Sequence, residues 1–287
     1  MISVSKAPAE ATRSGWYEIL PAGPEPERVN RDIRADWVIV GAGFAGLTAA
    51  HRISSELPED TVVVLDAQPV GWGASGRNSG FIIDLPHHLQ SSDYSGDNDR
   101  REILQNRFAI DYARNMVSEF GLGQYISEAG RINAATDTAG CRALDAYANH
   151  LGRLEEPFTP LDENALKEIT GTGYYRQGIH MPGCLLIQPA GYIRGIAAGL
   201  ESRVQLFENS PVTDIHTGSS HRVRTSRGSV EAKNVILTVN GHLESFGFAR
   251  NKLMHLFLYA SMTRELQPAE IKALGGDNEW GITPAHA

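Results

Sequence analysis

Two glycine-rich stretches of this chain, the second carrying hydroxyls and a cation, have spacings that suit an anionic ligand. They are Gly41-Ala-Gly-Phe-Ala-Gly46 and Gly71-Trp-Gly-Ala-Ser-Gly-Arg-Asn-Ser-Gly80, with Asp66 between them. In the first, Gly41 permits a tight turn, Gly43 lets the main chain approach a pyrophosphate, and Gly46 lets a helix pack close to a sheet. Phe44 and Ala45 open that helix, whose N–H groups and positive dipole end face phosphates. Asp66, in Leu65-Asp-Ala67, lies twenty residues beyond Gly46, where an acid accepts hydrogen bonds from a ribose. Residue types and spacing therefore point to an adenine dinucleotide.

The elements that must position these groups are legible around them. An apolar run, Trp37-Val-Ile-Val40, ends at Gly41, a small-residue stretch, Leu47-Thr-Ala-Ala50, follows Gly46, and Thr61-Val-Val-Val-Leu65 ends at Asp66. Strand, glycine turn, helix, strand and acid together make a dinucleotide-binding unit. The second block selects the dinucleotide, because a nicotinamide domain has no need of it. Gly73, Ala74, Ser75, Asn78 and Ser79 can wrap a second turn of amides and hydroxyls around a pyrophosphate and ribityl chain, and Arg77 adds charge where anionic oxygens sit. This predicts FAD.

At this point Ala35-Asp-Trp-Val-Ile-Val-Gly-Ala-Gly-Phe-Ala-Gly46, Leu65-Asp-Ala67 and Gly71-Trp-Gly-Ala-Ser-Gly-Arg-Asn78 resemble the N-terminal half of the D-amino-acid-oxidase-like flavoenzymes. Within that family the likeness is nearest to the gamma-glutamylputrescine and glycine oxidases, and it runs with decreasing clarity from about Trp16 onward. The resemblance implies an α/β fold: an FAD-binding Rossmann-like domain with a glutathione-reductase-type sheet and an interleaved α+β substrate domain, incomplete at the C-terminal side. It implies the backbone of Val212 against the adenine and Asn240-Gly241 as the end of a second dinucleotide segment, Val235 to Gly241. A hairpin turn is the plainer reading of Asn240-Gly241. It implies oxidation of the C–N bond of a small amine or amino acid, with hydride passing to flavin N5 and O2 regenerating the cofactor with release of H2O2. No dedicated base is obligatory, which fits the absence of a recognisable triad or carboxylate pair. Two alternatives stay open: a flavin dehydrogenase subunit that passes electrons to a partner, and a truncated, non-catalytic flavoprotein.

Substrate contacts are expected from the second domain. Leu253 to Met262 alternates, with Met254, Leu256, Leu258, Ala260 and Met262 on one face and a mixed face opposite. A strand with that pattern buries the first face and presents His255 and Tyr259 to a cavity or to solvent. Tyr174-Tyr-Arg176 and Tyr192 with Arg194 read first as packing or surface pairs. His87-His88 reads against a metal, because adjacent strand residues face opposite ways and no further ligand recurs at ligand spacing.

Composition bounds the rest. The 287 residues are 41% hydrophobic and carry a net charge of −8, which disfavours nucleic acid and anionic membranes. Arg222, Arg224 and Arg227 alternate beside Gly228-Ser229 and read as a solvated hairpin edge. Cys141 and Cys184 stand outside any CxxC spacing, so reduced thiols and a cytoplasmic location are expected. The N-terminus lacks the apolar core of a secretion signal, and no run approaches membrane-spanning length.

The expected organisation is an N-terminal arm, 1–34, a discontinuous FAD-binding domain, 35–90 and 185–250, and a partial substrate domain, 91–184 and 251–287. Helices are expected over Asn98–Gly121, Arg142–Leu154, Asp162–Ile169 and Ala190–Leu200, followed by short strands. The family's later strands and a glycine-containing segment over the flavin have no counterpart after Gly241. The polypeptide is therefore expected to be one part of a larger functional unit, with a complementary protein chain as one possible partner.

Overall fold

Val38, Ile39 and Val40 leave no polar face to turn to water, and Val62 to Leu65 repeat the pattern, as strands covered on both faces must. In the computed structural model both runs are interior strands of a sheet, paired on both sides. The structure describes residues 1–8, 12–86, 97–254, 256, 258–277 and 279–285.

The chain forms two units, Met1–Asn78 with Pro189–Met262, and Ser79–Gln188 with Thr263–Ala287. It begins in the first with β1 (Ile2–Ser3), α1 (Gly15–Glu18), β2 (Asp32–Val40), α2 (Phe44–Glu56) and β3 (Val62–Leu65). In the second follow β4 (Phe81–Ile82), α3 (Asp97–Phe120), β5 (Ile126–Ser127), β6 (Arg131–Ala135), α4 (Thr138–Leu154), β7 (Thr159–Asp162), α5 (Glu163–Thr170), β8 (Gln177–Met181) and β9 (Leu185–Ile187). The chain returns to the first with α6 (Pro189–Gly199), β10 (Gln205–Phe207), β11 (Val212–His216), β12 (His221–Thr225) and β13 (Ser229–Leu237). It ends in the second with α7 (Pro268–Leu274) and β14 (Ile282–Pro284).

The first unit is built on a seven-stranded sheet in the order β1-β11-β12-β13-β2-β3-β10. The ladders β13–β2, β2–β3 and β3–β10 are parallel, and the ladders β1–β11, β11–β12 and β12–β13 are antiparallel. Val38 and Val40 of β2 share one core with Val63 and Leu65 of β3, Phe207, Val223 and Val230. Strand alternation turns Ile39, Val62 and Val64 to the opposite face, and all three are buried, as are Leu47 and Ala50 of α2. Each buried Val, Leu or Ile among them contributes about 1.5–3 kcal/mol by leaving water, so the ends of β2 and β3 are firmly fixed.

The second unit holds a four-stranded sheet, β14-β6-β8-β7, and a three-stranded one, β4-β9-β5. Leu144, Tyr147 and Leu151 of α4 pack with Ile179 and Met181 of β8. Asp162 caps α5 by accepting from the Ala165 N–H at 2.9 Å.

Three observations differ from the reading of the sequence. Leu253 to Met262 forms no strand among its described residues. Among its described residues no strand pairs with that stretch, and Met254, Leu256 and Leu258 are 81%, 74% and 92% exposed, so the alternation has no sheet to complete. Arg222 and Arg224 lie on β12, which is paired on both sides by β11 and β13 and is no edge; Arg222 meets Glu231 at 3.4 Å. The arm opens as an edge strand, β1, paired with β11. His87 and His88 lie outside the described residues.

Candidate functional site

The ends of β2, β3 and β13 open into a cleft of about 470 Å³ within the first unit, inside the range of small-molecule sites. Gly41, Gly43, Asp66, Ala67, Gly73, Ala74, Ser75, Val212, Asn240 and Gly241 line it. The sequence reading named all ten, from five separate stretches of chain.

Gly41 turns the chain at φ +107°, where L side chains are strained. Its N–H donates to Leu65 O at 2.7 Å, and Thr238 Oγ1 donates to its carbonyl at 2.9 Å. Gly43 caps α2, whose first intrahelical bond runs from Leu47 N–H to Gly43 O. The N–H groups of Phe44, Ala45 and Gly46 precede that bond and have no partner within the helix. A Cβ on Gly46 would lie 1.8 Å from Gly41 O, so the close approach of helix to turn requires glycine. Ala45 is exposed on the first turn of α2 and is not part of the cleft wall.

Asp66 turns its carboxylate back on this loop. Its Oδ2 accepts from Ala42 N–H at 2.7 Å and its Oδ1 from Gln68 N–H at 2.9 Å. A carboxylate oxygen can accept more than one hydrogen bond. Nearby, Glu208 accepts the Val70 N–H. Burial pushes its carboxyl above the ordinary carboxylate range, the Val70 amide works against this, and the Asp66 charge adds to it.

The second loop has the same Gly-x-Gly-x-x-Gly spacing as the first, which the reading of the sequence passed over. Gly71 has φ +82°, Gly73 caps the single turn Ala74–Gly76, and a Cβ on Gly76 would meet Gly71 O at 1.9 Å. Ser75 Oγ accepts from Phe44 N–H at 3.0 Å and so reaches the N-terminus of α2. Arg77 corrects the expectation of a cation facing the ligand. Its Nε donates to Trp72 O at 2.6 Å and its Nη2 to Thr12 O, because these carbonyls sit on the side of the loop away from the cleft. Asn78 is likewise turned inward, donating from Nδ2 to Ser75 O at 2.9 Å. Ser79 begins the second unit.

Several contributors were missed. Lys6, Ala7 and Pro8 line the cleft, as do Ser210, Thr238 and His242. Thr238 lay inside a stretch already singled out, whereas nothing near Lys6 marks it in sequence. Asn240 has φ +49° and begins a helical turn, Asn240–Phe246, in place of a hairpin. Tyr259 is 97% exposed, and His255 lies outside the described residues. Tyr192 is buried against the Phe44 ring, 6.2 Å between centroids, and Arg194 stacks over Tyr17 at 5.0 Å. Cys184 is buried, which pushes its thiol up to about 11. Among the described residues no group of His, Cys, Asp or Glu is placed to hold a metal ion, and no helix is long and apolar enough to cross a membrane.

A parallel sheet whose first glycine turn opens a helix, an acid after the second strand and a second glycine loop beside it define a dinucleotide-binding flavoprotein fold. The chain belongs to the FAD dependent oxidoreductase family, which matches residues 36–283. It is 29% identical over 238 residues to gamma-glutamylputrescine oxidoreductase of Escherichia coli (strain K12), covering 76% of this chain and 51% of that one. It is 27% identical over 260 residues to sarcosine oxidase subunit beta of Rhodobacter capsulatus, covering 84% and 57%. Among solved structures, glycine oxidase from Geobacillus kaustophilus superposes with a TM-score of 0.59 at 20% identity, over 72% of this chain and 55% of that one. The chain thus spans about half the length of the relatives it matches.

Proposed function

We propose that the first unit holds FAD and that the complete functional unit oxidises the C–N bond of a small amine or amino acid. One observation carries this reading: a single cleft is lined by two glycine loops of the same spacing, with Asp66 between them. Gly41, Gly43 and the opening amides of α2 would hold the pyrophosphate. Ser75, whose oxygen already accepts from Phe44 N–H, keeps its own proton to donate to a phosphate oxygen. Asp66 would accept from the adenosine ribose, the backbone of Val212 would contact the adenine, and Asn240-Gly241 would border the flavin end. Arg77 and Asn78 act by shaping the loop.

When bound, FAD supplies the two-electron acceptor. The substrate loses two electrons and two protons to become an imine, which water hydrolyses, and O2 is reduced to hydrogen peroxide. The chain's own part is to place the cofactor; placing the substrate needs a dry, shaped cavity. A complementary polypeptide, or further sequence of the family's length, would supply that part. Its support is the half-length coverage of the relatives and the name of one of them as a subunit. Two free thiols suit a reducing compartment, the cytoplasm.

The test is an absorbance spectrum of purified protein, followed by anaerobic bleaching with a panel of amines and amino acids. Yellow protein with a flavin spectrum is expected, with little or no peroxide from this chain alone and turnover when the complementary part is added. Colourless protein that takes up no FAD but binds NAD overturns the cofactor assignment. Robust peroxide production by the isolated 287-residue chain overturns the need for a further part.

A further inference from the structure

The segment before the first long strand is fastened to the second glycine loop. Ser14 Oγ donates to Gly76 O at 2.8 Å, and Trp16 Nε1 donates to Asn78 O at 3.0 Å. Arg77 answers from the loop by donating to Thr12 O. Tyr17 packs edge-on against Trp72, 5.6 Å between ring centroids. These ties all fall on the side of the loop away from the ligand: Gly71, Gly73, Ala74 and Ser75 line the cleft, while Gly76, Arg77 and Asn78 do not.

The loop's one regular element is the three-residue turn Ala74–Gly76, and a single turn does not hold itself in water. Fixing the carbonyls of Gly76 and Asn78 fixes the residue just before them. Ser75 is thereby set with its oxygen 3.0 Å from the Phe44 amide, at the N-terminus of α2. Without the ties, that ordering cost would fall on the cofactor when it binds.

We propose that Ser14 and Trp16 are positioning residues of the cofactor site, holding the back of the Gly71–Asn78 loop so that Ser75 meets α2 before FAD arrives. The proposal rests on the reading of this cleft as the FAD site.

The experiment compares wild-type apoprotein with the double variant Ser14→Ala/Trp16→Phe. FAD affinity is read from flavin fluorescence quenching, and amide hydrogen exchange over residues 71–80 is measured without FAD. The double variant should melt cooperatively, lose protection over 71–80 in the apo state and bind FAD about tenfold more weakly, the scale of one or two lost hydrogen bonds. Ser14→Thr, which keeps the hydroxyl, should bind as the wild type does and guards against a variant that fails to fold. A double variant with wild-type affinity and wild-type exchange overturns the proposal while leaving the cleft's assignment intact. Wild-type protein that takes up no FAD overturns that assignment, and the proposal with it.

Discussion

The loops Gly41–Gly46 and Gly71–Gly76 share a spacing, a positive φ at the first glycine and an extended second glycine that caps the turn after it. In both, the third glycine sits where a Cβ would strike the first glycine's carbonyl, at 1.8 Å and 1.9 Å. They differ in what holds them. The first is fastened to the sheet, by Gly41 N–H to Leu65 O and Thr238 Oγ1 to Gly41 O, and it feeds a 13-residue helix. The second feeds a three-residue turn and is fastened by Ser14 and Trp16, each 62 residues away. One backbone shape can therefore be imposed by neighbouring strands or by side chains from a remote segment, and the second way leaves more freedom to adjust.

That difference should appear first in the third glycines. Gly46→Ala drives a Cβ into a carbonyl that the sheet does not let move. It should cost about 1–3 kcal/mol of stability, as overpacking does, and weaken FAD binding by more than about 100-fold. Gly76→Ala meets nearly the same clash in a loop held by side chains rather than by the sheet, and a loss of about tenfold is expected. Equal losses in a flavin titration would show that the two loops are equally rigid.

Asp66 lies between the loops, holds the first turn and is proposed to meet the ligand's ribose. Asp66→Ala removes the acceptor for Ala42 and Gln68 N–H as well as the proposed ribose contact. An FAD dissociation constant raised by at least about tenfold is expected, equivalent to about 1.4 kcal/mol. Unchanged affinity would place the ribose contact on another residue.

The smallest effect belongs to Glu208, beneath the second loop. Because burial raises its folded carboxyl above the ordinary range, its contribution to stability is present below the unfolded value and is lost as pH rises through the folded one. Wild-type protein should therefore lose stability to urea over that interval. Glu208→Gln, which still accepts the Val70 N–H, should flatten the slope. Parallel slopes for the two proteins would assign the pH dependence to another group.

Much of this was legible in the chain itself. The strand, the glycine turn, the start of α2 and Asp66 follow one another locally, and their geometry is imposed by backbone sterics and apolar burial that any reader of Val38 to Gly46 can recover. What failed was whatever depended on a distant neighbour. Leu253 to Met262 has a strand's alternation but, among its described residues, no strand pairing, and Arg77 has the charge of a ligand contact but spends it on the carbonyls of Trp72 and Thr12.

The sequence by itself determined the first half of the cleft wall, because a glycine with φ near +107° and a helix packed so close that a Cβ on Gly46 would lie 1.8 Å from Gly41 O leave one residue type at Gly41 and at Gly46. The tertiary structure alone decided the second half. Hydrogen bonds between residues some 60 positions apart depend on where the folded sheet brings the arm, and no local pattern of residues encodes that distance.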